Sequence, residues 1–107
     1  MIIKRSEAEI LAGVLGYLGT RSDVMYWRQN TMAYSPRPGQ FIRSGERGTA
    51  DIIGILKGGR FLGIEVKREG KNPTPEQLRW GEKVTKAGGL YLVAHSVDEV
   101  KQALEDV

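Results

Sequence analysis

Two apolar runs joined across a glycine pair most constrain what this chain can fold into. Residues 49–56 and 60–67 have the β-branched and apolar content of strands, and Lys57-Gly58-Gly59 between them predicts a β-hairpin. Asp51 interrupts the first run, and Glu65 and Lys67 interrupt the second. Because uncompensated charge in the middle of a sheet is costly, these three residues indicate a functional site rather than a stabilising device.

The length of the turn decides whether the two carboxylates share a face. A two-residue Gly58-Gly59 loop would pair Asp51 with Val66 and send its carboxylate to the face opposite that of Glu65. A three-residue loop over 57–59, with its last glycine in the left-handed region, pairs Asp51 directly with Glu65. Their Cβ atoms would then lie roughly 5 Å apart, a span that one divalent cation can bridge. We predict the three-residue loop, or a bulge that compensates for a shorter one.

The residue types at this position suit metal-dependent phosphodiester cleavage. Oxygen ligands in a chain without cysteine favour Mg²⁺ or Mn²⁺ over zinc. A cation held by Asp51, Glu65 and the backbone carbonyl of Val66 would polarise a phosphate and lower the pKa of a bound water. Lys67 shares a strand face with Glu65 and could orient that water or stabilise developing charge. The alternative is a carboxylate–lysine salt bridge at a sheet edge, since Glu-x-Lys alone is a weak signal.

Length and composition limit the number of domains, the kinds of site and the location of the protein. The 107 residues predict one domain, and the absence of cysteine excludes disulfides and thiolate sites. No signal-peptide pattern or membrane-spanning run is visible, so we expect a cytoplasmic protein without a membrane partner. A long loop is predicted over residues 31–47, and its arginines Arg37, Arg43 and Arg47 are candidate contacts to nucleic-acid phosphates. A solvated basic loop is the alternative.

At these residues the chain resembles the VRR-NUC domain family of the PD-(D/E)XK nuclease superfamily. The resemblance covers nearly the whole chain and rests on Ser6–Ile10, Gly48–Gly54, Gly63–Lys67, Thr74–Gln77, Ala87–Gly89, Val93–Ala94 and Ser96–Val100. It implies an α/β restriction-endonuclease-like core, an αβββαβ mixed sheet flanked by helices, with a C-terminal helix added. It also implies metal-dependent cleavage with catalytic roles for Asp51, Glu65 and Lys67. Ala50 stands where the superfamily usually has proline, which removes no ligand.

The resemblance implies two further site residues. The family has an acidic residue in its first helix, which fits Glu7 or Glu9. Glu9 has a structural explanation, because it completes a capping box with Ser6, whereas Glu7 lies on the apolar stripe of the helix. We therefore choose Glu7 as an outer metal ligand, either directly or through water. Gln77 matches the family's catalytic glutamine, although it could equally serve only as a cap for Thr74.

The substrate follows from the resemblance alone. Stand-alone members of the family are similar to Holliday-junction resolvases, which act as homodimers on four-way or related branched DNA. The resemblance thus implies DNA as partner, a homodimer with two active sites, and a bacterial or phage source. Two alternatives stay open: a nickase or restriction-like subunit targeted by another protein, and a non-catalytic nucleic-acid-binding module of the same fold.

Overall fold

The computed structural model describes residues 4–29, 33–34, 38, 42–43, 46–105 and 107. Their secondary structure follows in the order α1 (Glu7–Leu18), β1 (Met25–Arg28), β2 (Ala33–Tyr34), β3 (Ile42–Arg43), β4 (Ile52–Ile55), β5 (Phe61–Val66), α2 (Pro75–Lys86), β6 (Leu90–Ala94) and α3 (Val97–Glu105). Within this part of the chain, no helix combines the length and the apolar content needed to cross a membrane.

A mixed sheet of four strands, in the order β1-β4-β5-β6, forms the centre of the fold. Strand β4 is antiparallel to both β1 and β5, whereas β5 and β6 are parallel and are connected through α2. A parallel pair requires such a crossover, and a helix is its usual form. This sheet with its flanking helices confirms the predicted restriction-endonuclease-like α/β fold, including the added C-terminal helix α3.

The β4–β5 hairpin has the register that a shared site requires. Ile52 pairs with Ile64 and Ile55 with Phe61, so continuing the register by one residue places Asp51 opposite Glu65. The Leu56 N–H donates to the carbonyl of Arg60 at 2.8 Å, which closes a three-residue loop. Both glycines of this loop have positive φ, 86° and 81°. The predicted three-residue turn is therefore confirmed.

Each face of the sheet has its own apolar cluster. The larger one lies between the sheet and helices α1 and α3, and includes Val14, Leu18, Ile52, Leu62, Ile64, Val100 and Leu104. The smaller one lies under α2 and consists of Ala50, Ile53, Trp80 and Val84. Since strand side chains alternate, Asp51, Glu65 and Lys67 point to the same side as Ile53, which is the α2 side. The larger cluster thus stabilises the sheet from the face opposite these three side chains.

The predicted loop over residues 31–47 needs a correction. Part of it forms a short two-stranded sheet in which Ala33 pairs with Arg43 and Tyr34 with Ile42. Strands of two residues are too short to show a periodic pattern, so sequence reasoning could not identify them. Arg37 lies outside the described residues, and for Arg43 the structure describes only the backbone.

Candidate active site

Glu65 is the buried carboxylate of the candidate site. It is 2% exposed, although a glutamate with its ordinary pKa is charged at neutral pH. One oxygen, Oε1, accepts a hydrogen bond from Nε2 of Gln77 at 2.9 Å. The other oxygen, Oε2, is buried without any hydrogen-bond partner among the described residues. Because buried polar atoms are almost always paired, this oxygen indicates a group that the protein binds.

Asp51 is held opposite Glu65 by the backbone of the neighbouring strand. Its Oδ2 accepts a hydrogen bond from the N–H of Val66 at 2.8 Å. Its own carbonyl accepts from the N–H of Gln29 at 2.7 Å, which extends the pairing of β1 with β4. The half-buried carboxylate of Asp51 is therefore fixed at both its side chain and its main chain. The structure places the N–H of Val66 at Asp51, and a ligand role for its carbonyl stays a prediction.

Lys67 brings a positive charge next to Glu65. Its Nζ lies 3.9 Å from Oε1 of Glu65, and its side chain is 14% exposed. At this distance the two groups form an ion pair, but they are too far apart for a hydrogen bond. The ammonium group of Lys67 thus keeps hydrogen-bond donors available for another group.

Burial dominates the electrostatics of the site. The pKa of the Glu65 carboxyl is raised from 4.5 to about 8. Burial away from solvent is the larger cause, and the negative charge of Asp51 is the second. Lys67 opposes this rise, whereas the more distant charge of Glu7 adds to it. The metal-free protein therefore holds the Glu65 carboxyl mostly protonated at neutral pH.

A divalent cation fits these residues. It would give Oε2 of Glu65 a partner and would offset the repulsion between Glu65 and Asp51, and both residues offer the oxygen ligands that Mg²⁺ and Mn²⁺ prefer. Glu7 does not complete a third carboxylate position: across the described ranges, no three His, Cys, Asp or Glu side chains come together as an ion site. Glu7 is exposed at the start of α1, so contact through water is the form in which it could take part.

Gln77 combines the two roles that the sequence left open. Its Oε1 accepts from the N–H of Thr74 at 2.8 Å, and the Thr74 hydroxyl accepts from the Gln77 N–H, so the capping box at the start of α2 is present. Its Nε2 is the group that donates to Glu65. The cap therefore fixes the orientation of the amide that holds the buried carboxylate.

One residue that contacts the site was missed by sequence reasoning. Tyr91 of β6 donates its hydroxyl to the carbonyl of Gln77 at 3.3 Å, and burial together with the charges of Glu65 and Asp51 raises its pKa to about 12. Its ring lies directly against Gly81, where an added Cβ would meet it. Glycine inside a helix is costly, so Gly81 was the available signal for such a close approach.

Arg47 lies outside the carboxylate cluster. Its guanidinium is 3.3 Å from Glu76 at the start of α2, and its side chain is 68% exposed. Gly48 has a φ of 79° and packs so closely on the carbonyl of Glu76 that no Cβ would fit. The segment leading into β4 is thereby docked on α2, next to the site but separate from Glu65.

Comparison with solved structures identifies the class of fold. A structure described as "VRR_NUC domain" superposes with a TM-score of 0.67 and 22% identity, over 94% of this chain and 97% of that one. The chain thus has the fold of a VRR_NUC domain, which confirms the resemblance predicted from its sequence.

A curated phage protein is similar to this chain in sequence. The protein named "Putative nuclease p44" of Acyrthosiphon pisum secondary endosymbiont phage 1 is 34% identical over 59 residues. The match covers 55% of this chain and 63% of the phage protein, which is less than two thirds of its length. No family model matches the chain.

Proposed function

We propose that the protein is a divalent-metal-dependent DNA endonuclease that hydrolyses phosphodiester bonds. The observation that carries this proposal is the buried Glu65, whose Oε2 lacks a partner while Asp51 and Lys67 lie beside it. The VRR_NUC fold and the name of the phage relative support the same conclusion. Residues 1–107 would act as a single nuclease domain.

The proposed metal ligands are oxygen atoms of Asp51, Glu65 and the Val66 carbonyl, with Glu7 in contact through water. When bound, Mg²⁺ or Mn²⁺ supplies Lewis-acid polarisation of the phosphate and a more acidic water. The protein's own groups orient the two carboxylates. Gln77 holds Oε1 of Glu65 at 2.9 Å, and the Val66 N–H holds Oδ2 of Asp51 at 2.8 Å, so both carboxylates are oriented in advance.

Lys67 is proposed as the residue that acts on the reacting groups. Its ammonium is mostly buried and lies on the strand face of Glu65. From there it can donate to the attacking water, or to a phosphate oxygen as negative charge develops. In a site of low polarity such a contact contributes typically 10²–10³-fold to the rate.

The proposed substrate is branched DNA such as a four-way junction, cut by a homodimer. Two cuts in a symmetric junction require two active sites, which a twofold dimer presents. Arg37, Arg43 and Arg47 are proposed phosphate contacts, and the 68% exposure of the Arg47 side chain is compatible with that role although it pairs with Glu76. Action in the cytoplasm of a bacterial or phage-infected cell belongs to the same proposal.

Cleavage of labelled DNA tests the proposal. Four-way junction, flap and linear duplex are incubated with Mg²⁺, Mn²⁺ or EDTA, and sedimentation gives the oligomeric state. We expect metal-dependent cutting with preference for the junction. Lys67→Ala should lower the cleavage rate at least ~100-fold while DNA binding in EDTA survives. Lys86→Ala, an exposed lysine at the end of α2, is the matched control. Equal rates for Lys67→Ala and wild type would refute the catalytic assignment.

A further inference from the structure

A group of basic residues lies where β5 ends, beyond the carboxylates. Lys4 and Arg5 precede α1, and Arg68 and Lys71 belong to the connection from β5 to α2; these four residues are called the β5-end patch. All four are exposed, and they line one cleft together. The patch therefore joins two chain segments that are more than sixty positions apart in sequence.

The charges of the β5-end patch are not neutralised by neighbours. Within the ranges that the structure describes, none of its four side chains makes an ion pair, whereas Arg21, Arg47 and Lys83 pair with acids at 2.7, 3.3 and 3.0 Å. Two acids line the same cleft, Glu9 and Glu69. Glu9 already accepts hydrogen bonds from the backbone and hydroxyl of Ser6. The cleft thus carries an excess of positive charge.

The β5-end patch begins one residue after Lys67 of the candidate active site. Arg68 directly follows Lys67, so their Cα atoms are about 3.8 Å apart. Lys4 reaches across to the β5–α2 connection, where its Nζ would lie 3.7 Å from a Cβ added at Gly70. A neighbouring cleft shares Lys4, Arg5 and Glu69 with the first and is also lined by Asp98 and Lys101 of α3. Basic side chains therefore occur from the connection after β5 across to α3, with one more base than acids in this second cleft.

We propose that the β5-end patch binds the DNA backbone phosphates that flank the cleaved bond on the α1 side. This inference rests on the proposed nuclease function, because only a phosphodiester held at Glu65 would bring its neighbouring phosphates over Arg68. One strand of duplex DNA presents a phosphate per ~3.4 Å of axis, so a patch that begins one residue after Lys67 would meet phosphates near the cleaved one. A guanidinium group can bind two oxygens of one phosphate at once. Arg5 supplies such a group from the segment before α1, and Arg68 supplies another from the connection after β5.

Salt-dependent binding to a labelled four-way junction in EDTA tests this surface without requiring cleavage. Arg68→Ala with Lys71→Ala should lower the slope of log K against log salt by about 2, since each phosphate contact contributes ~0.9. Lys4→Ala with Arg5→Ala should lower it by a similar amount. The control, Lys57→Ala with Lys86→Ala, removes the same charge from the hairpin turn and the end of α2, and should leave the slope unchanged.

Each result decides between named possibilities. A wild-type slope in both patch variants, or an equal loss in the control, would overturn the β5-end patch as a DNA-binding surface. Single-turnover cleavage with saturating protein should stay within ~3-fold of wild type in the patch variants, because they retain the site residues. Absence of cleavage by the wild type under Mg²⁺ and Mn²⁺, with the slopes changed as expected, would refute the nuclease proposal and leave the binding surface supported.

Discussion

Replacing Glu65 by glutamine should stabilise the metal-free protein at alkaline pH. The folded protein raises the pKa of Glu65 from 4.5 to about 8, so it binds that proton more tightly than the unfolded chain does. The stability associated with this proton is fully present below pH 4.5 and is lost as the pH rises through about 8. At ~1.4 kcal/mol per pH unit, the loss from the lower to the upper pKa is on the order of 5 kcal/mol.

Glutamine removes this loss while keeping the contacts of the side chain. Its oxygen can accept from Nε2 of Gln77 as Oε1 of Glu65 does, and its amide stays uncharged across this pH range. The variant and the wild type should therefore have similar free energies of unfolding at pH 5. At pH 9 in EDTA the variant should exceed the wild type by several kcal/mol, a large part of the ~5–15 kcal/mol typical of a whole domain.

Urea denaturation in EDTA between pH 5 and 9, followed by the fluorescence of buried Trp80, measures this difference. Glu82→Gln, the same substitution on an exposed side chain of α2, is the control and should follow the wild-type curve. At pH 8, added Mg²⁺ should stabilise the wild type and leave Glu65→Gln unchanged. Parallel curves for wild type and Glu65→Gln across the pH range would refute the claim that burial of this carboxylate destabilises the metal-free fold.

Two further predictions concern α2. Thr74→Ala should cost about 1 kcal/mol through loss of the cap and leave Mn²⁺ affinity unchanged, whereas Gln77→Ala should also weaken Mn²⁺ binding about 10-fold in calorimetry; equal Mn²⁺ affinities would contradict the orienting role of the amide. Gly81→Ala should lower the free energy of unfolding by about 1–3 kcal/mol because its methyl group would meet the ring of Tyr91. Gly16→Ala, in a helix position with open space, should raise it by up to ~1 kcal/mol, and stabilisation by both changes would refute the packing argument.

The register of the hairpin could be predicted from sequence because few turns are possible. Two adjacent glycines limit the connection to two or three residues, and only the longer one brings Asp51 opposite Glu65. The observed pairing of Ile55 with Phe61, with both glycines at positive φ, is that longer loop. Turn chemistry left two possible loops, and the requirement that the two carboxylates share a face selected between them.

Features that depend on distant contacts could not be predicted. The sequence allowed Gln77 to act as a helix cap or as a site residue. Only the packing of α2 on β5 shows that its amide oxygen caps the helix while its amide nitrogen binds Glu65. Likewise, the closeness of Lys4 to the connection after β5 depends on how α1 docks on the sheet. Exposure of a charge and its distance from a site are properties of the whole fold, and neither is encoded in a short motif.

The bond between Asp51 and the main chain of β5 has a consequence for how such a site can change over time. Every amino acid except proline carries the N–H that donates to Oδ2 of Asp51, so the identity of the residue at position 66 is irrelevant to this bond. Selection at that position can act on packing alone. Drift in the apolar layer beneath the strand is thereby uncoupled from the orientation of the aspartate above it.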